Sequence, residues 1–61
     1  MYPYIITIIA NNQSVSFEVR GAEAAYDRYR ALSFGVAPYG EVDLVDGLTG
    51  EVIESTSEDW D

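Results

Sequence analysis

Cysteine, histidine and lysine are all missing from these 61 residues, and only three bases, Arg20, Arg28 and Arg30, stand against eleven acids. Without thiols there can be no disulfide, and without thiols or imidazoles the usual zinc ligands are gone. A nucleophile activated by histidine, cysteine or lysine is likewise impossible, so the chain is not expected to be an enzyme and no cofactor or metal is expected. Three arginines are too few to hold a polyanion, and the five glycines form no phosphate-binding motif, which excludes direct nucleic-acid binding. The longest apolar run, residues 4–10, is too short to span a bilayer and no basic segment precedes it, so no membrane helix or signal peptide is expected. The lack of cysteine fits a reducing cytoplasm.

What is present is grease and negative charge. Hydrophobic residues make up 48% of the chain, which has room for one core only. Size scaling predicts that about 5,900 Å² is buried on folding, worth about 90 kcal/mol at ~25 cal/mol/Å² if about 60% of it is apolar. Ordering the chain at ~1.5 kcal/mol per residue costs about the same. With no covalent or metal staple to tip that balance, a homodimer is the expected stabiliser.

Along the chain, Tyr4-Ile5-Ile6-Thr7-Ile8-Ile9 is β-branched and aromatic almost throughout and reads as a central strand. Asn11-Asn12-Gln13 supplies turn residues that tolerate left-handed backbone, and Ser14 to Arg20 alternates strictly, directing Val15, Phe17 and Val19 to the core. From Gly21 the period becomes helical, with Ala22, Ala25, Tyr26, Tyr29 and Leu32 on one stripe. Acids early in this helix and arginines late complement its macrodipole, and Gly35 stands where a left-handed cap would end it near Phe34. Residues 36–40, with Pro38 and Gly40, form a linker. A second hairpin joins residues 41–45 to 51–55, with Asp46 capping the turn and Gly50 in its left-handed position.

The expected architecture is α+β, in the order β-β-α-β-β: a four-stranded antiparallel sheet of order 2-1-3-4 with the helix on one face. Residues 1–55 make the domain and residues 56–61 an acidic tail. The sheet's other face should stay uncovered, centred on Ile5, Thr7 and Ile9 within a polar rim, and these three residues are the candidate dimer interface.

Charge is segregated along the chain. Residues 1–30 balance Glu18, Glu23 and Asp27 against the three arginines, whereas residues 31–61 hold eight acids and no base, within a net charge of −8. Such a chain is attracted to basic protein surfaces. The candidate partner-binding residues are Glu41, Asp43, Asp46, Glu51 and Glu54, with Trp60 as an aromatic anchor in the tail. Residues two apart on a strand lie ~6.7 Å from each other on one face, so Glu41 and Asp43 with Glu54 or Glu51 could form a row with phosphate-like separation. Duplex DNA, with a charge every ~1.7 Å of axis, is denser than this unless a dimer doubles the array. Equal weight falls to a solvated acidic face that serves solubility. The same carboxylates lack the alternating ligands of a calcium loop, and turn chemistry accounts for Asp46, Gly47 and Gly50.

The turn stretch Leu44-Val45-Asp46-Gly47-Leu48-Thr49-Gly50-Glu51-Val52, with Tyr26-Asp27-Arg28-Tyr29-Arg30-Ala31-Leu32 before it, resembles small acidic proteins carried by phages and prophages. The resemblance covers about half the chain and transfers no functional residue. It implies a mobile-element origin and the cytoplasm of a host cell. It also implies inhibition of a host or defence protein through a basic surface, as anti-CRISPR and DNA-mimic proteins do. The alternative function is a dimeric structural or assembly protein that uses the uncovered sheet face.

Overall fold

A computed structural model describes residues 1–36 and 39–57, arranged as β1 (Pro3–Ala10), β2 (Gln13–Arg20), α1 (Ala22–Val36), β3 (Gly40–Asp46) and β4 (Val52–Ser55). The strands form one antiparallel sheet of order β2-β1-β3-β4, and the helix covers one face. This is the expected α+β fold.

Local chemistry explains each junction. Asn11 and Asn12 both take left-handed backbone, with φ of 55° and 62°, which makes the two-residue primed turn whose twist matches the flanking strands. Gly21, at φ 95°, turns the chain from β2 into the helix; its N–H donates to the Tyr2 carbonyl at 2.9 Å and its own carbonyl accepts from Ala25 N–H at 3.0 Å. Between β3 and β4, Asp46 Oδ1 accepts from the N–H groups of Leu48 and Thr49 at 2.8 and 3.1 Å, and Gly50 is left-handed at φ 80°.

The core is small. Ile6, Val42, Leu44 and Ala25 are fully buried, with Tyr4, Ile8, Phe17, Tyr26 and Leu32 packed around them. Alternation along β1 and β3 delivers Ile6, Val42 and Leu44 to the helix side, and the small Ala25 side chain lets the helix come close. Tyr4 meets the edge of Tyr26 at 6.4 Å between ring centres, and the Arg28 guanidinium sits over the Phe17 ring at 5.8 Å.

Four expectations about detail fail. Gly40 is not part of a linker: β3 and its ladder to β1 begin there. Gly35 does not cap the helix: it has no positive φ and lies within the helix, which runs on to Val36. The added residues leave no base in the last turn, so Arg28 and Arg30 do not offset the C-terminal dipole as expected. Val15 is 59% exposed rather than in the core, because the helix packs over β3 and β1 and reaches only part of β2. The chain also stays bonded to β3 beyond the expected domain end: Thr56 N–H donates to the Val42 carbonyl, and Val42 N–H donates to Thr56 Oγ1.

Candidate functional site

Cross-strand partners share a face, so the registers assign every acid of β3 and β4 to a side of the sheet. On the face away from the helix, one row runs Glu18, Ile5, Val45, Val52; the next runs Ser16, Thr7, Asp43, Ser55; the third runs Ser14, Ile9, Glu41. No described element covers this face. The expected trio lies on it: Ile5 and Thr7 half-buried by their neighbours, Ile9 38% exposed, and Thr7 Oγ1 3.0 Å from Ser16 Oγ.

Glu41 and Asp43 stand side by side on this face, two residues apart on β3. Asp43 accepts a 2.6 Å hydrogen bond from Ser55 Oγ. Hydrogen bonding to the Asp43 side chain, partial desolvation and the like charge all raise the Glu41 carboxyl above its ordinary range, while Ser57 pulls the other way. The remaining charge on the face cancels, since Arg20 Nε lies 2.9 Å from Glu18 Oε2.

Glu54 is not part of this row. Leu44 pairs with Glu54 while the next residue, Val45, pairs with Val52, so Ile53 is an extra residue that bulges out of β4. The bulge places Glu54 beside Leu44, on the helix side of the sheet edge. Glu51 is exposed where the turn enters β4, its carbonyl accepting from Asp46 N–H at 2.8 Å. Asp46 is committed to structure. Besides capping the turn, its two carboxylate oxygens accept from the Tyr2 hydroxyl at 2.9 and 2.7 Å. That hydroxyl, then the Leu48 N–H, lowers the Asp46 pKa, and the same bond raises that of Tyr2. Trp60 lies outside the described residues.

The expected cluster is thus divided: Glu41 and Asp43 on the open face, Glu54 around the edge, and Glu51 and Asp46 at the turn. All five still belong to the β3–β4 half, which carries no base, whereas the arginines sit on β2 and α1. The sequence offered no sign of the Tyr2 clamp, which spans 44 residues. The hydroxyls of Ser55 and Ser57 were also missed as partners of the acidic pair, the run Ser55-Thr56-Ser57 being their only trace. Among the described residues there is no pocket and no group of three or more side chains suited to a metal, and no helix is long and apolar enough to cross a membrane. The chain matches no family model, no curated protein and no solved structure, so geometry and charge alone carry the functional argument.

The two shifted carboxyls act on stability with opposite signs. Glu41 has a folded pKa above its unfolded value near ~4.3, so stability rises as pH falls toward that value and the pair takes up a proton. Asp46 has a folded pKa below its unfolded value near ~3.9, so its contribution is present above that pH and lost as pH falls further. Thermal unfolding followed by circular dichroism should therefore show the midpoint rising as pH falls from neutrality toward ~4.3 and falling below ~3.9. Glu41→Gln should raise the midpoint at pH 7 and flatten the first limb; Asp46→Asn should flatten the second. A Glu41→Gln profile that superimposes on wild type would show that the pair does not couple to folding.

Proposed function

We propose that this protein is a non-catalytic binding module whose β3–β4 half engages a basic surface of another protein. The observation that carries the reading is the separation of charge across the sheet. Glu41, Asp43, Asp46, Glu51 and Glu54 lie on β3, β4 and their turn with no base among them, while Arg20, Arg28 and Arg30 lie on β2 and α1, where Glu18, Glu23 and Asp27 balance them. Each arginine is already engaged within the fold, by Glu18, the Phe17 ring and Asp27 respectively. A molecule polarised in this way is oriented as it approaches a basic partner, which speeds encounter and selects which face arrives first.

The partner class we favour is a host or defence protein whose basic surface normally holds nucleic acid, the protein acting as an anti-CRISPR-like or DNA-mimic-like inhibitor in the cytoplasm of a host cell. Glu41 and Asp43 support this, because two carboxyls held against each other on an uncovered face concentrate negative charge of the kind a basic nucleic-acid site attracts. The bulge at Ile53 limits the array on that face to these two carboxylates, with Glu51 and Glu54 reaching a partner around the edge. An assembly protein that stacks through Ile5, Thr7 and Ile9 is the weaker reading, since face-to-face stacking of two copies would gather both Glu41–Asp43 pairs at one interface.

Capture from a host lysate with wild type and with a Glu41→Gln, Asp43→Asn, Glu54→Gln variant tests the proposal. The expected result is a specific protein retained by wild type and lost by the variant, with affinity falling on the order of tenfold between 50 and 200 mM salt. The captured protein should also release its nucleic acid when the acidic protein is added. Equal capture by both forms, or affinity indifferent to salt, would remove the reading.

A further inference from the structure

The two edges of the sheet are unlike. β4 is protected: it has four residues, carries the bulge at Ile53 and the charged Glu54, and is preceded by Glu51. β2 is longer and has no bulge, and its two charges, Glu18 and Arg20, stand at one end and pair with each other. It runs for eight residues in unbroken register with β1, contains no proline, and is uncharged from Gln13 to Phe17. A two-residue primed hairpin closes on a hydrogen-bonded pair, here Ala10 and Gln13, so the backbone groups of Gln13, Val15, Phe17 and Val19 turn inward to β1. Those of Ser14, Ser16 and Glu18 therefore point outward along the open edge.

We infer that β2 is a self-pairing edge, joining a second copy antiparallel about Ser16 to build one continuous eight-stranded sheet. In that register Ser16 faces Ser16 of the other copy, and Ser14 faces Glu18 on each side, so all three outward residues exchange their backbone bonds. Val15, 59% exposed in a single copy, then stands opposite Phe17 of the other. Charge selects a second copy at this edge and no other. The net charge of −8 opposes self-association, but Glu18 and Arg20 cancel on β2. The acidic strands lie farthest from the join: five strand spacings of ~4.8 Å put the two β3 strands about 24 Å apart, well beyond the ~8 Å over which charges interact at physiological salt. The two Glu18 residues, four positions apart in the paired strands, sit about 13 Å from each other. The helix leaves room for the join, since it lies over β3 and β1.

Sedimentation of the whole chain at about 10–200 µM decides the matter. The wild type is expected at twice the 6.8 kDa chain mass at the upper end, with association strengthened by added salt because screening relieves the net repulsion. Ser16→Pro removes an outward N–H and should leave a folded monomer by circular dichroism. Ser16→Ala keeps that N–H and should remain dimeric. Val15→Lys, which sets a cation near Arg28 of the other copy, should also be monomeric and decides the question if the proline variant is unfolded. Only 6.8 kDa species for wild type at every concentration would overturn the inference. So would a dimer that survives both Ser16→Pro and Val15→Lys, and its loss on Ile9→Glu would place the contact on the open face instead.

Discussion

Leu44→Ala is expected to destabilise the protein by about 3–5 kcal/mol and leave it largely unfolded at 37 °C. Leu44 is fully buried between Ile6 on β1 and the helix, and among the described residues its only equals are Ile6, Val42 and Ala25. Removing a buried leucine to alanine costs about 2–5 kcal/mol, more where the site cannot collapse, and a sheet strand held on both sides by ladders to β1 and β4 has little freedom to close the gap. A 61-residue domain has only about 3–9 kcal/mol in total at ~0.05–0.15 per residue. One substitution therefore consumes a large part of it. Ile53→Ala is the control: Ile53 is 39% exposed in the bulge, and its loss should cost less than about 1 kcal/mol. Urea titration followed by far-ultraviolet circular dichroism measures both. Equal midpoints for the two variants would show that the core is not where the structure places it.

Gly40→Ala is the second large effect, and its origin is backbone proximity. Gly40 pairs with Ala10 where β3 begins, and an added Cβ would stand 2.3 Å from the Ile9 carbonyl oxygen and 2.8 Å from the Ala10 side chain. Neither neighbour can swing aside, because one is backbone and the other a methyl. The start of β3 must move away from β1, and such overpacking costs about 1–3 kcal/mol. Gly35→Ala gives the opposite sign. Nothing lies within 4 Å of its would-be Cβ and the residue is helical, so alanine should stabilise by about 0.4–1 kcal/mol. The thermal midpoints should thus diverge, one below and one above wild type. A Gly40→Ala midpoint at or above that of wild type would mean that the two strands are not this close.

Both glycines lie in segments that sequence reasoning misjudged, for related reasons. Gly35 looked like a helix stop because glycine so often is one, yet the packing of Val36 against the core continues the helix past it. Gly40 looked like part of a linker, whereas the β1–β3 ladder begins there. In each case a tertiary contact outweighed a local preference. The acidic site divides along the same line. That Glu41 and Asp43 share a face was readable from strand alternation alone. That Glu54 does not join them depends on one bulged residue, which exists only because β4 must pair with β3. The commitment of Asp46 was half legible: its turn-capping role follows from neighbours two and three residues on, its clamp by Tyr2 from the far end of the chain.

By itself, the sequence determined the elements, their order and the turns between them, because alternation, helical period, left-handed asparagines and a capping aspartate act over a few residues. It also determined that charge divides between the halves of the chain. Only the tertiary structure decided which face Glu54 occupies, how far the helix covers β2, and which sheet edge is left open. Those outcomes depend on register and packing between segments distant along the chain, where a shift of one residue turns a side chain to the opposite face.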